Sequence, residues 1–174
     1  MPEAADQAHI CRIRSTVDAE RKAACLLEWG PVQALLAPSV VLTTACELTA
    51  AAAAAETDIA LIETFREDFE ADDDMLKVVL SKVRTRRPMP GGEVALRIAA
   101  VAGANTGQPY VHIGRGSMKG ELSPDEARQM ALHWAMAAVA SQIDVRLRYA
   151  LGEWDHLTPS EVEQLFTLIQ QAGR

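Results

Sequence analysis

Residues 116–126 read GSMKGELSPDE, and residues 30–40, which lie 86 positions earlier, read GPVQALLAPSV. Both stretches begin with glycine and carry leucine at the seventh place and proline at the ninth. In the later stretch Ser123-Pro-Asp-Glu126 is a capping box, in which the Ser and Glu side chains satisfy backbone N–H groups at a helix start. Each stretch therefore predicts a short strand that ends at leucine and a helix that begins at proline.

The similarity between the two halves extends beyond these stretches. Ten positions in 30–87 carry the same residue 86 positions later. Asp72 and the capping box Thr158-Pro-Ser-Glu161 each predict the start of a second, shorter helix. Upstream of the long helices, apolar residues alternate with a period of two, which is typical of strands. Each half is therefore predicted to contain three strands, a long helix and a shorter helix.

These patterns predict an α+β protein formed by tandem duplication of a β-β-β-α-α unit, with pseudo-twofold symmetry and antiparallel sheets packed on long Ala-rich helices. A unit of about 86 residues buries little surface alone, so the two repeats are expected to share one core. Alanine-rich segments at 50–55 and 135–140 predict a close crossing of the long helices. The predicted bounds are strands 9–17, 22–29 and 31–36 and helices 38–68 and 73–86 in repeat 1–87, a linker at 88–92, and strands 93–102, 109–115 and 117–122 and helices 124–152 and 159–172 in repeat 93–174.

Composition points to a reduced compartment. The chain has 174 residues, 49% of them hydrophobic, which is enough to form a core without a metal or a disulfide. Its three cysteines, Cys11, Cys25 and Cys46, match no zinc or disulfide spacing. The N-terminus MPEAADQ lacks the pattern of a secretory signal, and prolines and a glycine interrupt the longest uncharged stretch. We therefore expect a cytoplasmic protein with no membrane partner.

No motif indicates catalysis. A P-loop, a nucleophile elbow, a dinucleotide fingerprint and an HExxH pair are all absent from the sequence. The four histidines fall in no catalytic or metal-ligating arrangement. We therefore predict no catalytic residue, metal or cofactor. Whether the protein is an enzyme stays open, and the sequence favours a non-enzymatic role.

Two groups of residues are candidates for binding a partner. Alternation along the strands places Arg12, Arg14, Arg97, Tyr110 and His112 on the sheet face opposite the core, where bases and an aromatic ring suit an anionic ligand. The second group lies at the end of the shorter helix of the first repeat. Residues 39–74 carry one base and ten acids, whereas residues 75–92 carry five bases and no acid within a chain of net charge −7. The basic candidates in that segment are Lys82, Arg84, Arg86 and Arg87.

Residues 121–131, ELSPDEARQMA, resemble the strand-to-helix junction of small proteins from high-GC bacteria and their phages, a resemblance that covers about a tenth of the chain and implies no activity. The leading interpretation is a non-enzymatic interaction or regulatory module of a bacterial or phage cytoplasmic system that binds another macromolecule, most simply a protein. Three alternatives are a nucleic-acid-associated regulator, an acidic mimic that inhibits a DNA-binding protein, and a small-ligand-binding protein or enzyme with a pocket between the repeats. The oligomeric state stays open between a monomeric pseudo-dimer and a homodimer.

Overall fold

The computed structural model describes residues 11–87, 92–103, 106–152 and 157–172. Six strands and four helices follow one another in the order β-β-β-α-α-β-β-β-α-α. Residues 9–10 of the first predicted strand and most of the predicted linker lie outside the described residues. The elements are β1 Arg12–Val17, β2 Ala23–Trp29, β3 Val32–Leu36, α1 Pro38–Phe69, α2 Asp73–Arg86, β4 Arg97–Ala102, β5 Pro109–Arg115, β6 Met118–Leu122, α3 Pro124–Gly152 and α4 Pro159–Ala172.

The strands form two three-stranded antiparallel sheets, ordered β1-β2-β3 and β4-β5-β6. The predicted α+β class and antiparallel sheets are therefore confirmed. Two-residue turns join β2 to β3 and β5 to β6, and each begins with a glycine of positive φ, +56° at Gly30 and +58° at Gly116. Residues other than glycine adopt this conformation at a cost, which explains why glycine recurs at both places.

The helices begin where the capping signals predicted. The Glu126 carboxylate accepts hydrogen bonds from the Ser123 backbone N–H at 2.7 Å and from the Ser123 hydroxyl at 2.8 Å. Thr158 and Glu161 form the same box at the start of α4. The Asp72 carboxylate accepts a 2.8 Å bond from the Met75 N–H at the start of α2. All three predicted caps are confirmed.

The long helices are exchanged between the two sheets. Helix α1 of the first half packs mainly on β4 and β5 of the second sheet, whereas α3 packs mainly on β1 and β2 of the first. The most extensive contact between any two elements joins α1 to α3. One core cluster results, and it includes Leu27, Trp29 and Leu48 from the first half and Ile113 and Trp134 from the second.

The strands of the two halves also agree in length. They contain six, seven and five residues in the first half and six, seven and five in the second. Strands β1 and β4 have the same order of exposed and partly buried residues. The helix pairs contain 32 and 14 residues in the first half and 29 and 14 in the second.

Helix α1 is the one helix of the described chain that is long and apolar enough to cross a membrane. The longest uncharged stretch of the sequence ends before Glu47, so it includes only the first part of α1. A buried core helix has the same length and composition, and the buried side of α1 contributes Val41, Ala45, Leu48 and Ala52 to the protein core.

Candidate functional site

A groove of about 1090 Å³ is bordered by strands of both sheets and by the first three turns of α3. One side is lined by residues 12–14 of β1 and by Cys11, which precedes the strand. Residues 119–122 of β6 line another side. Successive strand residues point to opposite faces, so a groove that touches four in a row runs along the edge of the strand. Among the described residues, β1 pairs only with β2 and β6 only with β5. Two strand edges therefore border the groove.

Large apolar side chains line the interior of the groove. They include Trp29, Ile113 and Trp134, which are between 1% and 5% exposed, and the partly buried Met130. The indole Nε1–H of Trp134 is buried and has no hydrogen-bond partner in the part of the chain that the structure describes. A buried donor without an acceptor costs free energy, so this indole is an unsatisfied polar group beside the groove.

Charges of both signs line the rim of the groove. The Arg14 Nε lies 3.5 Å from the Glu28 Oε2, and both side chains are partly exposed. Glu121 Oε2 lies 2.8 Å from His112 Nε2. The remaining charged lining residues are Arg12, Lys119 and Glu126. Hydrogen bonds from the backbone and the hydroxyl of Ser123 hold the pKa of the Glu126 carboxyl below its ordinary value, so it is ionised at neutral pH.

Cys11 also lines the groove, but it is a poor nucleophile. Burial raises the pKa of its thiol to about 12, and the nearby charge of Arg115 only partly opposes this effect. The thiolate is the reactive form of cysteine, so almost no Cys11 is reactive at neutral pH. The groove therefore offers binding chemistry rather than covalent chemistry at this residue.

The structure separates the predicted sheet-face residues into two groups. Arg12 and Arg14 line the groove. Arg97, Tyr110 and His112 belong to the second sheet and do not line the groove. Arg97 and His112 are exposed, and Tyr110 is partly buried.

The predicted basic segment on α2 is divided between surface and interior contacts. Lys82 and Arg86 are exposed. Arg84, which is also exposed, and the partly buried Arg87 bind the carboxylate of Asp58 on α1, which is fully buried. The Arg84 Nε donates to Asp58 Oδ2 at 2.9 Å, and the Arg87 Nη2 donates to Asp58 Oδ1 and, at 3.2 Å, to the carbonyl of Ala54.

This cluster explains two of the four bases in structural terms. A buried carboxylate needs a charged or hydrogen-bonding partner, and Asp58 has two arginines. Sequence reasoning missed Asp58 because it lies 26 residues from Arg84 and 29 from Arg87 in the chain.

A second cavity of about 350 Å³ lies between the two halves, beside the junction of α3 and α4. Its lining is mainly apolar and includes the side chain of Arg148. That guanidinium forms an ion pair with Glu163 and lies 4.2 Å from the centroid of the Phe166 ring. The protein itself thus engages this guanidinium, although the buried Arg148 Nε–H has no hydrogen-bond partner in the described part of the chain.

The remaining groove residues could not be found from the sequence. His133 and Trp134 look like packing residues of α3, and only Trp134 is buried, whereas His133 is exposed at the groove. In the described part of the chain no three His, Cys, Asp or Glu side chains are placed to hold a metal ion. No protein-family model, curated protein or solved structure matches the chain significantly.

Proposed function

We propose that this protein is a non-enzymatic interaction module that binds an extended segment of a partner protein in the groove between β1 and β6. The observation that carries the proposal is the pair of strand edges along one groove with an apolar interior. An extended peptide can add to such an edge through backbone hydrogen bonds, while alternate side chains enter apolar pockets.

The other half of the fold supports this occupant. Residues 92–95, just before β4, lie along the start of α1. A Cβ atom at Gly92 would be 3.5 Å from the Thr43 Cγ2, and the Ala95 N–H donates to the Thr44 hydroxyl at 2.8 Å. The positions 86 residues after Thr43 and Thr44 are Gln129 and Met130, and both line the groove. No described residue fills the corresponding place beside α3.

The rim charges suit a segment with charges of both signs or a terminal carboxylate near Arg12. They give less support to a nucleic-acid ligand, since Glu28, Glu121 and Glu126 lie beside the groove bases and would repel phosphates. Arg84 and Arg87, which a nucleic-acid regulator would use, are occupied by Asp58. No observation favours the acidic mimic. We retain a bacterial or phage cytoplasmic setting as part of the proposal.

We also infer that the chain arose by tandem duplication and has pseudo-twofold symmetry. The equal strand lengths, the repeated hairpin glycines and the exchange of α1 and α3 between the sheets support this history. Superposing residues 12–86 on 97–172 in an experimental structure should align all five elements after a rotation near 180°. A different arrangement of the helices in the two halves would contradict the inference.

The experiment for the proposed function selects 12-residue peptides from a phage-displayed library on the full chain, and then measures their affinity by fluorescence anisotropy. We expect Gln129→Trp, which fills the groove from an exposed position of α3, to weaken binding at least about tenfold. Gln142→Trp is the matched control, because Gln142 is an exposed glutamine of α3 outside the groove. N-methylation of alternate peptide nitrogens should abolish binding, since it removes the donors used in strand pairing.

Three results would contradict the proposal. Peptides that bind Q129W and Q142W equally well do not use the groove, and peptides that tolerate N-methylation at every position do not pair with a strand edge. If a variant that lacks residues 1–10 binds the peptides much more tightly, the chain competes for its own groove and a partner protein is not the resident ligand.

A further inference from the structure

The outer side of α3 carries a stripe of large apolar side chains that the fold leaves exposed. Leu132, Met136, Val139 and Ile143 are between 50% and 59% exposed, and Leu147 is 44% exposed. The first four follow a spacing of four, three and four residues, which places them on one face of a helix. Together with Leu147, these four residues form what we call the α3 stripe, residues 132, 136, 139, 143 and 147.

The stripe is not required by the fold. The opposite side of α3 already contributes Ala127, Ala131, Trp134 and Ala138 to the core. In α1, the positions 86 residues before the first four stripe residues are exposed and small or polar: Cys46, Ala50, Ala53 and Thr57. A helix that is apolar on both sides is expected to be buried on both sides. The α3 stripe therefore requires a covering partner that α1 does not need.

We infer that the α3 stripe is a homodimer interface in which α3 packs antiparallel on α3 of a second copy. The stripe is self-complementary in this orientation. In one register of this antiparallel pair, Met136 lies opposite Val139 of the second copy and Ile143 lies opposite Leu132, so the two numbers of every facing pair add up to 275. The four central layers of the seam are then apolar. This antiparallel pairing follows the usual alternation of seam positions in two-helix packing.

Charge selects the antiparallel orientation. Asp125 and Arg146 lie at the two ends of the same face, and both are exposed. A parallel pair would place each of them opposite its own copy, and like charges in register are destabilising. In the antiparallel pair Asp125 lies opposite Ala150 and Arg146 lies opposite Gln129, so neither meets a like charge.

The size of the stripe fits a dimer of moderate affinity. Five side chains that are each about half exposed make an apolar patch on the order of 400 Å², a size at which exposed patches mark interaction sites. That is about half of the roughly 800 Å² that each partner buries in a standard interface. Flanking residues of α3 supply the rest. This inference does not depend on peptide binding in the groove, because none of the five stripe residues lines the groove.

The experiment measures mass by light scattering coupled to size-exclusion chromatography between 1 and 100 μM of the full chain. We expect a mass near 37.6 kDa, twice the 18.8 kDa of one chain, at the higher concentrations. Val139→Glu should weaken dimerisation at least about tenfold, because it places two carboxylates in an apolar seam. Val78→Glu on α2 is the matched control, since Val78 is 53% exposed and Val139 is 52% exposed.

Cysteine cross-linking tests the orientation in a Cys46→Ser background, which removes the exposed native thiol. In the antiparallel pair Met136→Cys lies near the dyad and should form a disulfide with its own copy. Ile143→Cys should not, because the two thiols are separated by about 16 Å along the helices, whereas a disulfide needs Cβ atoms within about 4.5 Å. A monomer at 100 μM, a dimer that V139E does not weaken, or efficient cross-linking through I143C would each overturn the inference.

Discussion

The cluster of Asp58, Arg84 and Arg87 gives the sharpest test of the fold. The Asp58 side chain is completely buried, whereas 44% of the Arg84 side chain and 25% of the Arg87 side chain are exposed. Removing one arginine leaves the carboxylate with the other, but removing both leaves an unpaired buried charge. Loss of the partner of a buried charge costs about 3–5 kcal/mol.

We therefore expect Arg84→Gln/Arg87→Gln to lower the free energy of unfolding by about 3–5 kcal/mol. Arg84→Gln alone should cost about 1 kcal/mol or less, because its guanidinium is partly solvated and Arg87 remains in place. The two single effects should sum to less than the double effect, as is usual for residues that share a partner. For a chain of this length the double variant should melt roughly 6–20 °C lower.

The assay is urea unfolding followed by far-ultraviolet circular dichroism, with Arg86→Gln as the control. Arg86 is an exposed base in the same turn of α2, and its loss should change the free energy of unfolding by no more than about 0.5 kcal/mol. Adding Asp58→Leu to the double variant should recover part of the lost stability, because it removes the unpaired charge. Equal stability of the double variant and R86Q would refute the buried ion-pair cluster. It would mean that Arg84 and Arg87, like Arg86, are solvated surface residues that do not stabilise Asp58.

Two further predictions concern packing and acid stability. Ala52→Leu should lower the free energy of unfolding by about 1–3 kcal/mol, since Ala52 is fully buried on the α1 face that packs in the core, whereas Ala53→Leu on the exposed face should be nearly neutral in the same urea assay. Folding lowers the pKa of Glu126, so its contribution is complete above about pH 4.5 and is lost as the pH falls through the lowered pKa of the folded state. The difference in unfolding free energy between the wild type and Glu126→Gln should therefore shrink below about pH 4.5, and a difference that stays constant from pH 7 to pH 3 would contradict the capping-box geometry.

Local features of the sequence predicted the elements well because each has a local cause. The hairpin glycines mark turns with positive φ, the capping boxes mark helix starts, and alternation marks strands. The exchange of α1 and α3 between the sheets has no such cause. Both sheets present a similar apolar face, and only the three-dimensional packing decides which helix covers which sheet.

The candidate site was harder to predict for the same reason. Alternation on β1 predicts Arg12 and Arg14 as candidate partner-binding residues, but the groove is also lined by residues of β6 and α3, which lie more than a hundred residues away in the chain. The basic segment at 82–87 stays a predicted binding site, but two of its bases also have a partner within the fold. Charge alone indicated a surface patch, whereas a single buried carboxylate on α1 draws Arg84 and Arg87 toward the protein interior.

The exchange of helices makes the covalent connection between the halves a determinant of folding kinetics. Each half supplies the helix that covers the other half's sheet, so neither can complete its own hydrophobic layer before the other arrives. Linking the halves in one chain gives them an effective concentration in the millimolar range. A chain cut between α2 and β4 would have to assemble by a second-order encounter, and its refolding rate would rise with protein concentration. Tethering thus converts the docking of two incomplete layers into a first-order step that is insensitive to dilution.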